Sequence, residues 1–201
     1  MNFFRDQVNS FTGKTRFLVS RIFLHLSGED IAPLLGILNE EARVAVEQEG
    51  DLLIMGEGLV RICQYLLQLS FNWQSSANEG DIFWEEDTAG DYFNELFTDS
   101  GQRYLSNEDL ESDTEKEEST LVLPANRNLV IMITIACTGE VPDLETNLAD
   151  KEALEYGLKA LLNLHYQERL EALQIHYSPA HFGDELTNDQ LLLNFPELVP
   201  L

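Results

Sequence analysis

The sequence predicts an α+β protein: an N-terminal helical subregion, then a small sheet holding a strand–helix–strand (βαβ) unit, then a C-terminal helix. Three observations predict it. Apolar residues recur at intervals of three and four between residues 31 and 71, the spacing of a buried helix face. The run Leu129–Cys137 is almost unbroken, branched and apolar, as in a strand covered on both faces. A stripe at Leu154, Leu158, Leu161 and Leu162 then leads to Leu173, Ile175 and Tyr177 at a period of two, so a helix precedes a second strand.

Residues 1 to 27 carry Arg5, Lys14, Arg16 and Arg21 against the single acid Asp6. Drawn as a helix, Lys14, Arg21 and His25 share one face and Leu18, Val19, Ile22, Phe23 and Leu26 the other. Two readings are open: a basic amphipathic helix lying on a membrane surface or an acidic partner, and a core-packing helix with a solvated basic edge. Asp30 is placed to cap the next helix, with Pro33 tolerated in its first turn. Ile31, Leu35, Leu38 and Ala42 follow helical spacing up to Gly50. Met55, Leu59, Ile62, Leu66 and Leu69 mark another helix over about 52–71, its first turns weakened by Gly56 and Gly58.

After Trp73 the composition changes. Gln74 to Gly80 reads as a polar loop, and Asp81 to Phe97 mixes aromatics with acids, with Thr88 able to cap a short helix. Asn107 to Ser119 holds seven acids and one lysine, which reads as a solvated acidic linker. The expected organisation is therefore a mainly helical subregion at 1–106, a linker at 107–119 and a small α/β subregion at 120–201. In the last, Asp150 caps the helix between the two strands. The order of elements suggests a right-handed crossover and a parallel strand pair. Thr120 to Leu123, or another segment, is expected to add to the sheet. Thr187-x-x-Gln190 has capping-box spacing, and Pro196 ends the last helix.

The totals limit the function classes. A net charge of −24 over 201 residues opposes binding of a nucleic-acid backbone or an anionic membrane through the bulk surface. Cys63 and Cys137 lie in apolar runs and read as buried thiols in a reducing compartment. No apolar run reaches the length of a membrane span, and the first residues lack a signal-peptide pattern. The expectation is a cytoplasmic protein.

Catalytic patterns fail on spacing. Gly13-Lys14-Thr15 ends like a phosphate-binding loop, but Val8 stands where its first glycine is required. Gly56-x-Gly58 lacks the third glycine of a dinucleotide site. His176, His181 and Asp184 form a loosely spaced set that zinc could use, giving a metal-binding or enzymatic alternative. The acids give another, an acidic DNA-mimic inhibitor. That reading needs carboxylates regularly spaced over a rigid surface, whereas here they concentrate in the linker.

Leu173-Gln174-Ile175-His176-Tyr177-Ser178-Pro179 resembles a strand ending in an aromatic, a hydroxyl residue and a proline in one uncharacterised family. Asp184-Glu185-Leu186-Thr187 and Asn194-Phe195-Pro196-Glu197-Leu198 resemble its next two signatures, and Tyr92-Phe93-Asn94-Glu95-Leu96 a weaker one. This is the domain-of-unknown-function family of cyanobacteria and chloroplasts that includes the plant fluctuating-light-acclimation protein. The resemblance covers most of residues 50 to 201. Tyr177 stands where tryptophan is usual, and residues 1–49 do not show the glycine-rich or membrane-spanning pattern that often precedes the domain.

The resemblance implies a non-enzymatic accessory role, in acclimation or assembly of photosynthetic complexes at the cytoplasmic face of thylakoids. It carries no cofactor or catalytic residue. The expected partner is a protein complex, reached through Lys14, Arg16 and Arg21 of the basic helix and through a surface of Tyr177, Pro179, Asp184, Phe195 and Pro196. No nucleic acid is expected. Residues 1–27 offer a peripheral membrane contact.

Overall fold

The computed structural model describes residues 15–105, 128–179, 184 and 186–201. Five strands form one antiparallel sheet: β1 (Phe17–Ser27), β2 (Trp73–Phe83), β3 (Asn128–Thr138), β4 (Leu170–Ser178) and β5 (Val199–Pro200), in spatial order β4-β3-β1-β2-β5. A 3₁₀ turn (Glu29–Ile31) leads into helix α1 (Ala32–Glu47), followed by α2 (Leu52–Gln68), α3 (Glu86–Leu105), α4 (Lys151–Tyr166) and α5 (Asn188–Asn194). The α+β class stands.

The basic amphipathic helix does not form. Residues 17–27 are instead the central strand, buried along almost its whole length. Leu18, Val19, Ile22, Phe23 and Leu26 fit one face of a helix, but a strand buried on both faces needs no alternation, and tertiary packing decides between the two. Leu18, Ile22, Leu24 and Leu26 join the main core with α1, α2 and α4, while Val19 and Phe23 face the opposite layer. The apolar side expected against a membrane thus lies inside the protein. Residues 74–80, expected as a loop, lie within β2, and the short helix expected near Thr88 is the twenty-residue α3.

β3 and β4 are adjacent but antiparallel, which corrects the parallel crossover. The chain leaves β3 at Thr138 and re-enters the sheet beside it: Thr138 N donates to Arg169 O at 3.1 Å. Arg169 Nε returns a bond to Thr138 O at 2.8 Å. Between them the chain swings across to β2, where Ser76 Oγ donates to Leu148 O at 2.7 Å and Asn78 Nδ2 to Thr146 O at 2.8 Å. Helix α4 then brings it back. The unit is a hairpin with a long helical insert, a route that right-handed crossover rules do not govern.

The sheet's other strands come from both sides of residues 107–119; that segment and Thr120–Leu123 lie outside the described residues. Local signals at helix ends are realised. Asp51 Oδ1 accepts from Leu53 N and Ile54 N, Asp150 caps α4, and Thr187 with Gln190 forms the capping box of α5. Asp30 does not cap: it sits in the 3₁₀ turn, and α1 starts without a side-chain cap. Gly56 and Gly58 lie inside α2 and are buried, which lets α4 and α1 approach closely.

Candidate functional site

The sheet has two unlike faces. Helices α1, α2 and α4 cover one with aliphatic side chains. Helix α3 and the C-terminal segment cover the other, and there the sheet is crossed by a polar row: Gln174 on β4 pairs with Thr134 on β3, Thr134 with Arg21 on β1, and Arg21 with Glu79 on β2.

Arg21 is 2% exposed. An ionised guanidinium so placed must be paired and hydrogen-bonded. Its Nε donates to Glu79 Oε1 at 2.9 Å, and one Nη donates to Leu96 O at 3.0 Å and to Ser100 Oγ at 2.7 Å. The other Nη lies 2.7 Å from Asp99 Oδ2. The guanidinium stacks 4.6 Å above the centre of the Phe23 ring, a favourable cation–π arrangement. Asp99 is shared with Arg103, whose Nε donates to it at 2.9 Å. Arg103 in turn donates to Asn194 O at 2.9 Å and to the Glu197 carboxylate. Charges therefore alternate in a ladder, Glu79–Arg21–Asp99–Arg103–Glu197, from β2 across α3 to the C-terminal segment. Burial pushes the Asp99 carboxyl up, but the two guanidiniums outweigh it and hold Asp99 below the usual carboxylate range.

A second polar group closes the end of this face. His25 Nδ1 lies 3.1 Å from Ser75 Oγ and Nε2 3.1 Å from Asn128 Oδ1. Asn128 Nδ2 donates to Leu186 O at 2.9 Å and to Asn188 Oδ1 at 3.0 Å. Serine, histidine and asparagine in a chain have the composition of a nucleophile, base and orienter. All three are buried, however, and the asparagine amide is committed to the backbone and cap of the C-terminal segment. The set acts as a tie between that segment and the sheet. Burial lowers the His25 pKa, the Asn128 hydrogen bond opposing it in part.

The sequence-predicted contact residues are not brought together. Lys14 lies outside the described residues. Arg16 is 7% exposed and grips Glu145 through both Nη groups, at 3.0 and 2.6 Å; with Arg21 it stabilises the fold and offers no basic surface. Tyr177 belongs to the aliphatic face, its hydroxyl donating to Asn39 Oδ1 at 2.9 Å. Phe195 is buried on the opposite face with Phe23, Met132 and Leu186. Pro179 is half-buried, while Pro196 and Asp184 are exposed. His176 faces Gln174 and the Phe97 ring, 5.7 Å between ring centres; burial first and the Arg21 charge second depress its pKa. His181 lies outside the described residues, and no group of three His, Cys, Asp or Glu among those described could hold a metal ion.

Sequence reasoning missed Glu79, Asp99, Ser100, Arg103 and Glu197. The available signal was Arg21 itself, a lone cation among apolar residues, which demands buried partners. With 36 acids in the chain, nothing in the sequence says which ones answer it.

On the aliphatic face a cleft of about 80 Å³ opens between α1, α2 and β4. Ala42 and Ala45 of α1, Ile54 and Met55 of α2, and Leu173, Ile175 and Tyr177 of β4 line it, with Glu41 among the polar groups at its wall. Near the turn between α1 and α2, Val46 is 81% and Leu53 63% exposed, so the hairpin that walls the cleft also presents apolar surface outside it. No described helix is long and apolar enough to cross a membrane.

Residues 16–201 match the family model described as protein of unknown function (DUF1517). No curated protein and no solved structure matches the chain.

Proposed function

The chain belongs to the DUF1517 family of proteins of unknown function, and from that premise we propose that it is a non-enzymatic adaptor that docks on a partner protein through the cleft between α1, α2 and β4. The observation that carries this is an apolar cleft beside a helical hairpin that also exposes Val46 and Leu53 near its turn. Apolar surface around a concavity, on a chain this acidic, marks an interaction site. The two polar clusters on the opposite face are engaged internally: the charge ladder and the His25 tie hold α3 and the C-terminal segment to the sheet.

Resemblance of the last thirty residues to the cyanobacterial and chloroplast family supports placing the partner among photosynthetic complexes, in assembly or acclimation at the cytoplasmic face of thylakoids. The test is comparative capture from a native photosynthetic extract by the wild-type chain and by Ala42→Trp. Ala42 is exposed on α1 and lines the cleft, so an indole there fills the opening without entering the core. A partner held by the wild type and lost by the variant supports the reading. Equal capture by both chains overturns docking through this cleft.

A further inference from the structure

We propose that the outer edge of β4, together with the cleft beside it, accepts an extended Lys/Arg-flanked segment of the partner as an added β-strand. This rests on the docking role of the cleft and specifies what enters it.

Strand β4 is nine residues long and ends the sheet order. It pairs with β3 on one side, and no strand lies on its other side among the described residues. Proteins protect such an edge with lysine, proline, a very short strand or a covering element. The sequence of β4, Leu-Glu-Ala-Leu-Gln-Ile-His-Tyr-Ser, contains no lysine or proline, and Glu171 is its one acid. The register slips by one residue at Glu171, a bulge that with its charge guards the start of the strand. From Ala172 to Ser178 no described strand pairs with the outer edge, and an edge of that kind is a template for another chain.

Each face beside that edge offers a place for alternate side chains. On the aliphatic face, Leu173, Ile175 and Tyr177 form the floor of the cleft. Apolar side chains at every second position of an added strand would enter it. The volume suits small branched residues. On the α3 face, Phe97 is half-exposed beside His176. There the Gln174 Oε1 is buried with no hydrogen-bond partner, while the same amide's nitrogen faces the His176 ring.

Charge selects the flanks. The guanidiniums on α1 and α2 are already taken: Arg43 by Glu40 and Glu47, Arg61 by Glu41. Glu49 and Glu57 on the hairpin and Glu171 on β4 remain as exposed acids, within a chain of net charge −24. A segment flanked by lysine or arginine is attracted; an acidic one, including the edge of a second copy of this chain, is repelled.

The test uses the full chain and a fluorescent peptide, Lys-Lys-Val-Thr-Val-Thr-Val-Lys-Lys, in binding titrations. Two derivatives carry N-methyl groups, one on the three valines and one on the two threonines, each blocking one hydrogen-bonding edge. The expected result is binding that weakens with salt, is lost when glutamate replaces the lysines, and falls about tenfold or more for one methylated derivative only, because an added strand pairs through one edge. Ala42→Trp should weaken the parent peptide as well. Equal binding of both methylated forms, absence of binding, or a dimer in sedimentation that Ala42→Trp dissociates would each overturn strand addition. A partner captured through the cleft alongside equal binding of the methylated forms would retain the docking role and remove only this mode.

Discussion

Arg21 on the central strand and Asp99 on α3 meet at 2.7 Å, with the guanidinium 2% exposed and the carboxylate shared with Arg103. Through that contact β1 is tied to the helix covering it, and through Arg103 to Asn194 and Glu197 of the C-terminal segment. Removing the cation leaves two carboxylates facing each other's neighbourhood and a buried hydroxyl and carbonyl without their donor.

Arg21→Ala should therefore destabilise the chain by about 3 kcal/mol, the low end for a broken buried pair because Glu79 and Asp99 keep partial solvent access. Arg21→Lys should recover little, since an ammonium cannot reproduce the fork that meets Glu79, Asp99, Leu96 and Ser100 together. Urea unfolding of the three chains measures this; a lysine variant as stable as wild type would contradict the geometry.

Stability should fall as pH drops below neutrality. His25 and His176 both have folded pKa values below the ordinary 6.5. The unfolded chain therefore binds more protons than the folded one between those lowered values and 6.5, and stability rises with pH across that window. Their contribution is complete above 6.5 and is lost as pH falls through the folded values. Asp99 adds a further loss at lower pH, when its depressed carboxyl takes up a proton. Thermal melts from pH 7.5 down to 4 should show the decline, and His25→Gln should flatten its upper part.

Two glycine substitutions should differ sharply. A Cβ at Gly80 would lie 2.5 Å from the Val19 carbonyl oxygen and 3.0 Å from Ser20 Cα, both in the backbone of β1. A Cβ at Gly90 would meet nothing within 4 Å. Gly80→Ala should cost about 1–3 kcal/mol by forcing the strands apart. Gly90→Ala, in α3, should instead stabilise by about 0.5–1 kcal/mol through helix propensity. Denaturant midpoints of the two variants decide the matter.

The thiols should be silent in the native state. Burial pushes the Cys63 pKa far above its ordinary value and that of Cys137 up to about 12, against the opposing charges of Arg169 and Arg16. Both are buried, so little thiolate forms and reagents reach it poorly. Mass spectrometry after maleimide treatment at pH 7.5 should find no adduct without denaturant and two with it. Rapid native labelling of either cysteine would show that its strand or helix opens.

Asn128→Ala should loosen the C-terminal segment by removing the bonds to His25, Leu186 and Asn188, at a cost of about 1–3 kcal/mol for buried groups left unmatched. Limited proteolysis followed by mass spectrometry should show earlier cleavage within residues 184–201 in the variant than in wild type.

Features governed by contacts a few residues long were legible in the sequence. The capping of α4 by Asp150, the Thr187–Gln190 box, the two-sided burial of β3 and the helical stripes of α1, α2 and α4 each follow from spacing alone. Residues 17–27 were not legible, because five apolar positions share one face at a period of 3.6 while a strand buried on both faces leaves no alternation to mark it, and Arg21 and His25 mimic a solvated helix face. Only carboxylates from β2 and α3, and Ser75 with Asn128, make those residues tolerable inside a sheet. The direction of β4 likewise depended on a long return across β2 that no local pattern encodes. Sequence by itself determined that the class is α+β, where the caps of α4 and α5 fall and which stripes of α1, α2 and α4 are apolar. Tertiary structure decided strand identity, strand direction and the separation of Tyr177 from Phe195 onto opposite faces. The physical reason is that a buried charge or an edge acquires its meaning from partners tens of residues away.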